Sequence, residues 1–320
     1  MCIDWKLEKT APAFAEIRAA QKTVRSQNTL ETLFVFAGLH LFSLLLMMGC
    51  RRILLAVGAA FCGGTLPAYA AELILLGCTG IPILSYFAYA RYIEQRSPRT
   101  MGFLRRGALW KYAVGALAGT AMTAGAVMIP YLLGAAAYGG STPENILPVL
   151  GLLPFWMIQG LSEELEFRGY FMLTLGLHAS PLSAVCISAL AFSLAHIGNA
   201  GITHFASVNL LLAGILLALI FLRTGSIWCG AALHTFWNLA QGNLFGISVS
   251  GGEQSVSVLH YAPVPGAEKW ISGGDFGIEG SIGSAAVYLL AILIVWLLPQ
   301  AAGNARGGQR PHPSPRSGKI

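Results

Sequence analysis

The sequence predicts an all-α protein, a polytopic bundle of eight or nine transmembrane helices with polar groups buried inside it. Three observations lead there. The 320 residues are 55% hydrophobic and only 11% charged, with a mean hydropathy of +0.64, whereas a soluble domain is about a quarter charged. Apolar runs recur at the roughly 20-residue length that crosses the hydrocarbon core. Basic residues gather between those runs, as positive-inside topology requires. The net charge of +6 therefore points to a lipid bilayer as partner and not to nucleic acid. Six cysteines without a CxxC pair read as small packing residues, not as a disulfide framework.

Residues 1–31 hold five basic and four acidic side chains, with Leu7, Phe14, Ile17 and Val24 at helical spacing. They suit either an amphipathic helix on the membrane surface or a mobile leader. No small-residue cleavage pattern follows a short apolar core, so a removable signal is not expected. The N-terminal transmembrane helices occupy 32–99. A first span, 32–49, is expected to stop at Arg51-Arg52. The run 53–90 is too long for one span and is interrupted by Gly63-Gly64, Pro67 and Glu72, which predicts a hairpin of 53–70 and 73–90. Without that hairpin the count falls to eight and the N-terminus changes side.

Residues 91–111 carry Arg91, Arg96, Arg99, Arg105, Arg106 and Lys111 against a single Glu94, which places them on the cytoplasmic side. A membrane core at 100–247 follows, with spans at 112–138, 147–177, 181–197, 208–222 and 227–245 and a turn at 139–143. Loop 248–282 has Glu253, Glu268, Asp275 and Glu279 against Lys269 and suits the outer face. A last span at 283–298 leads into a basic tail, 299–320, expected to be disordered. No internal repeat of the transporter kind is visible.

The helix 147–177 contains Glu163, Glu164, Glu166 and Arg168 where a membrane helix should have leucine. Each costs about 2.5–3.5 kcal/mol at a helix centre, and the four together on the order of 10 kcal/mol, unless they pair or face a wet cavity. Residues four apart share a helical face, so Glu164 and Arg168 can pair while Glu163 points elsewhere. Gln159, Glu163 and Glu166 form a second polar stripe. Two further polar intrusions follow, Phe192 with His196 and His234 with Asn238. A lone histidine in an apolar helix is more often a packing residue. Together these groups amount to an acid not neutralised by pairing, an imidazole able to share its water, and a His/Asn pair able to donate hydrogen bonds. That is what a hydrolase needs.

The stretch Glu163-Glu164-Leu165-Glu166-Phe167-Arg168 resembles the EExxxR motif of the CPBP (CAAX protease and bacteriocin-processing) family of intramembrane endopeptidases. Phe192 to His196 resembles its FxxxH motif and His234 to Asn238 its HxxxN/D motif, in the family's order. The likeness covers roughly 100–245. It implies an active site within the membrane, with Glu163 as the base that activates water, His196 assisting it, and His234 with Asn238 at the oxyanion. It also implies a structural Glu164–Arg168 pair and Phe192 packing the site or touching substrate. Glu166 falls on a variable position and receives no role.

A membrane-associated protein or peptide is the implied substrate, and a bacterial inner (plasma) membrane the expected location. Oligomeric state is not legible. Glu163, His196 and His234 could also supply three ligands to a single zinc ion. Without an HExxH motif, and with Asn238 a poor zinc ligand, a metal-free mechanism is the preferred expectation. Two other readings use the same residues: a proton-coupled transporter or channel relaying protons through Glu163, Glu166 and His196, and an inactive protease-like scaffold.

Overall fold

The computed structural model describes residues 12–26 and 28–297. The tail expected at 299–320 and the leader's first part, 1–11, lie outside the described residues. The helices are α1 (Pro12–Ala19), α2 (Thr29–Phe61), α3 (Ala68–Gly77), α4 (Gly80–Ala88), α5 (Ala108–Leu132), α6 (Ile146–Glu164), α7 (Leu173–His178), α8 (Pro181–Leu194), α9 (His204–Thr224), α10 (Trp228–Leu239), α11 (Lys269–Ser272) and α12 (Ile282–Leu297). A π-helical stretch, Leu165–Met172, joins α6 to α7 without a break.

Among the described residues five helical stretches are long and apolar enough to cross a membrane, against the eight or nine expected: Thr29–Phe61, Ala68–Ile93, Ala108–Leu132, Pro143–His178 and His204–Thr224. Pro181–Leu194 and Ile282–Leu297 are shorter apolar helices. Part of the difference lies at Arg51-Arg52, where the expected stop does not occur. Arginine is a good helix former, so α2 runs through both residues to Phe61. The chain turns back only at Gly63 and Gly64, whose φ angles of 74° and 107° are open to glycine at no steric cost. The three segments expected at 32–49, 53–70 and 73–90 are thus two helical stretches.

The described residues are mostly helical, as expected, with one small two-stranded exception. Strand β1 (Ala136–Ser141) pairs antiparallel with β2 (Leu259–Pro263), with Tyr138 opposite Tyr261. This two-stranded ribbon ties the long loop after α10 to the α5–α6 connection. Strands this short, one of them holding Gly139 and Gly140, carry too little alternation to be read as strands from the sequence.

The apolar face of α1 meets protein and not a lipid surface: Phe14 and Ile17 are buried with Phe36, Phe167 and Phe171. Close helix contacts form the interior. A Cβ on Gly115 would lie 2.2 Å from the Cys229 carbonyl oxygen and one on Gly119 2.4 Å from that of Leu233, so α5 lies backbone-to-backbone against α10. A Cβ on Gly160 would lie 2.6 Å from Thr235 Oγ1, which brings α6 equally close to α10. Small residues permit such approach between membrane helices, and here they set the polar residues of α6 and α10 side by side.

Candidate active site

The last turns of α6 present Gln159, Glu163 and Glu164, and the π-helical stretch after it presents Glu166 and Arg168. Glu164 and Arg168 form the expected ion pair, with Arg168 Nη1 donating to Glu164 Oε1 at 2.9 Å and both side chains essentially inaccessible. Arg168 Nη2 also donates to the Gly214 carbonyl at 3.3 Å, and the guanidinium lies 4.4 Å over the Phe192 ring. Removing two charges from water costs several kcal/mol per ion, offset only by good geometry and added hydrogen bonds. The pair has both.

Glu163 points away from that pair, into a cavity of about 560 Å³ that His196, His234 and Asn238 also line. Its side chain is 26% exposed, against 1% for Glu164. Gln159 Nε2 donates to Glu163 Oε1 at 2.6 Å. The other oxygen, Oε2, has no hydrogen-bond partner and faces His234 Nε2 at 3.6 Å and His196 Nε2 at 3.9 Å. These three groups come from α6, α10 and the turn just after α8, where His196 follows the helix end at Leu194.

The outer nitrogens of both rings are committed. His196 Nδ1 lies 2.8 Å from the Phe192 carbonyl oxygen and His234 Nδ1 lies 3.1 Å from Glu164 Oε1. Both partners are pure acceptors, so each Nδ1 carries the proton. Each Nε2 is thereby turned toward Glu163. Neutral rings would set two bare nitrogens against a carboxylate oxygen, an arrangement completed by a water that donates to the acceptors or by a proton on one ring. Glu164 therefore orients His234 as well as neutralising Arg168. Asn238 Nδ2 donates to Gln159 Oε1 at 2.9 Å, which links α10 to the residue that holds Glu163. Phe192 packs at the centre, 4.9 Å from the His196 ring and 6.0 Å from that of His234.

The zinc candidates Glu163, His196 and His234 meet in the cavity. Even so, among the described residues no group of three or more His, Cys, Asp or Glu side chains is arranged to hold a metal ion, and Gln159 already occupies one Glu163 oxygen. The other Glu163 oxygen has no hydrogen-bond partner and faces both imidazoles; no step below passes through a metal.

Four lining residues were given no catalytic role from the sequence. Glu166, left without a role, accepts from Tyr86 Oη at 2.9 Å and pairs with His40 of α2. Glu72, read as a turn marker, is buried, accepts from Asn243 Nδ2 at 3.2 Å and takes both the amide and the hydroxyl of Ser255. Glu279, expected on an outer face, is 6% exposed. It accepts from the Ser250 amide at 2.6 Å, the Ser250 hydroxyl at 3.0 Å and Gln241 Nε2 at 3.3 Å. Burial pushes its carboxyl above the ordinary range, against the pull of His196 and of those hydrogen bonds. The signal for Glu72 and His40 was present as polar groups in apolar runs. For Glu279 there was none, because an acid in an acidic loop is ordinary until the loop folds back.

Glu72 and Glu279 together fasten loop residues 249–254, which cover one side of the cavity. Glu279→Ala is expected to release this cover. Each bond lost to a buried acceptor is worth about 1–3 kcal/mol, so amide exchange at Ser250 and Gly251, read by hydrogen–deuterium exchange, should rise roughly 10- to 100-fold.

Fold and site together define a helical membrane protein with a carboxylate–imidazole cluster enclosed in its bundle. Residues 145–240 match the family model described as type II CAAX prenyl endopeptidase Rce1-like, a segment that contains all three motifs. This match agrees with the resemblance drawn from those motifs and supports a CAAX-type protease. No curated protein and no solved structure matches the chain.

Proposed function

We propose that this chain is an intramembrane endopeptidase that hydrolyses a peptide bond of a membrane-associated protein or peptide. The observation that carries the reading is the unpartnered Glu163 Oε2, facing His196 and His234 Nε2 at 3.9 and 3.6 Å in a lined cavity. In this reading Glu163 Oε2 takes one proton from water while the water's other O–H, which it keeps, donates a hydrogen bond to His196 Nε2. The oxygen bonds to the scissile carbonyl carbon, and the carbonyl electron pair moves onto oxygen. His234, protonated between two carboxylates, donates from Nε2 to that oxyanion together with the second N–H of Asn238. As the C–N bond breaks, the leaving amine takes the proton held on Glu163. Glu164 and Arg168 hold His234 and the helix in place, and Phe192 packs the two imidazoles apart.

The substrate class named in the matched family's description, a CAAX prenyl protein, is carried over as part of this proposal, as is a bacterial inner membrane with the site open toward the basic segment 91–111. The metal-free route is preferred to zinc. The transporter reading uses Glu163, Glu166 and His196 but leaves the ordered His234–Asn238 pair without a task.

Purified protein in detergent is expected to cleave membrane-anchored peptides, to keep its rate in chelator, and to lose roughly 10²–10³-fold in kcat on Asn238→Ala through the missing oxyanion donor. Loss of activity in chelator, restored by zinc, would replace the metal-free route. An unchanged kcat for Asn238→Ala would remove that residue from the oxyanion site.

A further inference from the structure

His40 of α2 lines the same cavity as Glu163, His196 and His234, yet the hydrolysis described above gives it no task. Its side chain is 32% exposed, and Phe36 and Phe167 flank the ring at centroid distances of 5.8 and 6.1 Å. Nδ1 is bonded to Glu166 Oε1, and Tyr86 Oη donates to the same oxygen at 2.9 Å. With that oxygen as acceptor, Nδ1 carries the proton. Among the described residues Nε2 has no hydrogen-bond partner.

Glu166 thus does for His40 what Glu164 does for His234, holding the ring by Nδ1. Helix geometry explains why both rings reach one cavity. At about 100° per residue, Glu163 projects about 100° from Glu164 on one side and about 60° from Glu166 on the other. The base therefore stands between the two carboxylates, with His234 of α10 beyond one and His40 of α2 beyond the other. The i, i+3 spacing puts the Cβ atoms of Glu163 and Glu166 about 5–6 Å apart, so a group leaving Glu163 meets His40 directly or through one water. The titratable groups beside His40 are Glu163 and Glu166, from α6 and the stretch after it, and Tyr86 of α4, which bonds to Glu166. On its own helix the charges are Glu31, Arg51 and Arg52, all more than two turns away.

An imidazole held by a carboxylate takes up and hands on protons. The proposed hydrolysis has a place for that. When Glu163 returns its proton to nitrogen, the amine departs as R–NH₂ and the new terminus as R′–COOH. A terminal carboxyl ionises at about pH 3.3–3.7 and a terminal amine holds its proton to about pH 7.7–8.0, so at neutral pH one proton has still to pass between the products. Until it does, the amine keeps the lone pair that can re-form the bond.

We propose that His40 with Glu166 is a second acid–base couple of this site, which moves that proton from the new carboxyl to the departing amine. His40 enters the step as an imidazolium. Its Nε2–H bond breaks and an N–H bond forms on the amine, which leaves as R–NH₃⁺. The bare Nε2 then takes the carboxyl proton, leaving R′–COO⁻ and an imidazolium ready for the next turnover. The proposal rests on the proteolytic reading, and its test separates the two.

Full-length protein in micelles is compared on one membrane-anchored peptide, by kcat, KM and their pH dependence, for the unsubstituted chain and for His40→Ala, Glu166→Gln and Glu163→Gln. Because His40 must start protonated, kcat of the unsubstituted chain should fall as pH rises through the titration of that imidazole. His40→Ala is expected to lower kcat roughly 10²-fold, the lower end for a positioned acid or base, to leave KM within about twofold, and to abolish that alkaline limb. Added imidazole should restore part of the rate to His40→Ala and none to Glu163→Gln. Glu166→Gln keeps an acceptor for Nδ1 but removes the charge that favours the imidazolium, so it should move the limb to lower pH.

An unchanged kcat for His40→Ala overturns the proposal. So does a loss of rate that leaves the pH profile unmoved and is not rescued by imidazole, because His40 is then only a tether between α2 and the stretch after α6. Where His40→Ala does not fold, Glu166→Gln carries the test, and an unmoved alkaline limb overturns the proposal. An unsubstituted chain that cleaves nothing sinks the proteolytic reading and the task of His40 with it. Cleavage that needs Glu163 but not His40 sinks only the second.

Discussion

Glu163→Gln is expected to lower kcat for peptide hydrolysis by roughly 10²–10⁴-fold, the contribution of a positioned general base, with the fold unchanged. The substituted carboxamide would still accept from Gln159 Nε2 through its Oε1, so the 2.6 Å bond that places the side chain is kept. What is lost is the basic oxygen that faces both imidazoles. Glutamine puts an N–H₂ there, which neither takes a proton from water nor keeps a charge between His196 and His234. The comparison is single-turnover cleavage of a membrane-anchored peptide, with thermal stability in the same detergent as control. Equal cleavage by both chains would falsify the assignment of Glu163 as base, whatever the other residues do.

Arg168→Met is expected to cost about 3–5 kcal/mol of stability, because it leaves the fully buried Glu164 charge without its partner. The loss is larger than for a surface ion pair, where solvent would take over. Replacing both members, Glu164→Leu with Arg168→Met, should recover most of that stability, since an apolar pair of similar volume is often neutral in a buried site. Activity should not return with it. Without Glu164 Oε1 the His234 Nδ1 proton has no acceptor, so the ring loses the bond that turns its Nε2 toward Glu163. Thermal unfolding and kcat measured on the unsubstituted chain and these two variants separate the two effects. Recovery of both in the double variant would show that Glu164 does nothing for His234.

The Glu164–Arg168 contact was legible because helix geometry alone places i and i+4 together, and it holds although Arg168 lies in the π-helical stretch. His40 and Glu166 are a contrasting case. They are 126 residues apart in sequence, and neither local spacing nor the motif order relates them. Glu72 and Glu279 are similar: the neighbours in sequence suggest a break for one and loop acidity for the other, and each is buried against residues far away. The stop expected at Arg51-Arg52 does not occur because charge alone does not end a helix. Gly63 and Gly64 end it, by admitting a backbone conformation that other residues avoid.

By itself the sequence determined the class of molecule, since hydropathy and basic clustering are properties of composition along the chain. It also determined the cost of the Glu163 to Arg168 stretch and the pairing that relieves part of it, since both follow from one helix. Only the tertiary structure decided which imidazoles face Glu163 and which carboxylates close the loop over the cavity. Those relations depend on how closely helices approach. That approach is set by small residues such as Gly115, Gly119 and Gly160 against the backbone of α10, a contact between helices that no periodicity within one helix encodes.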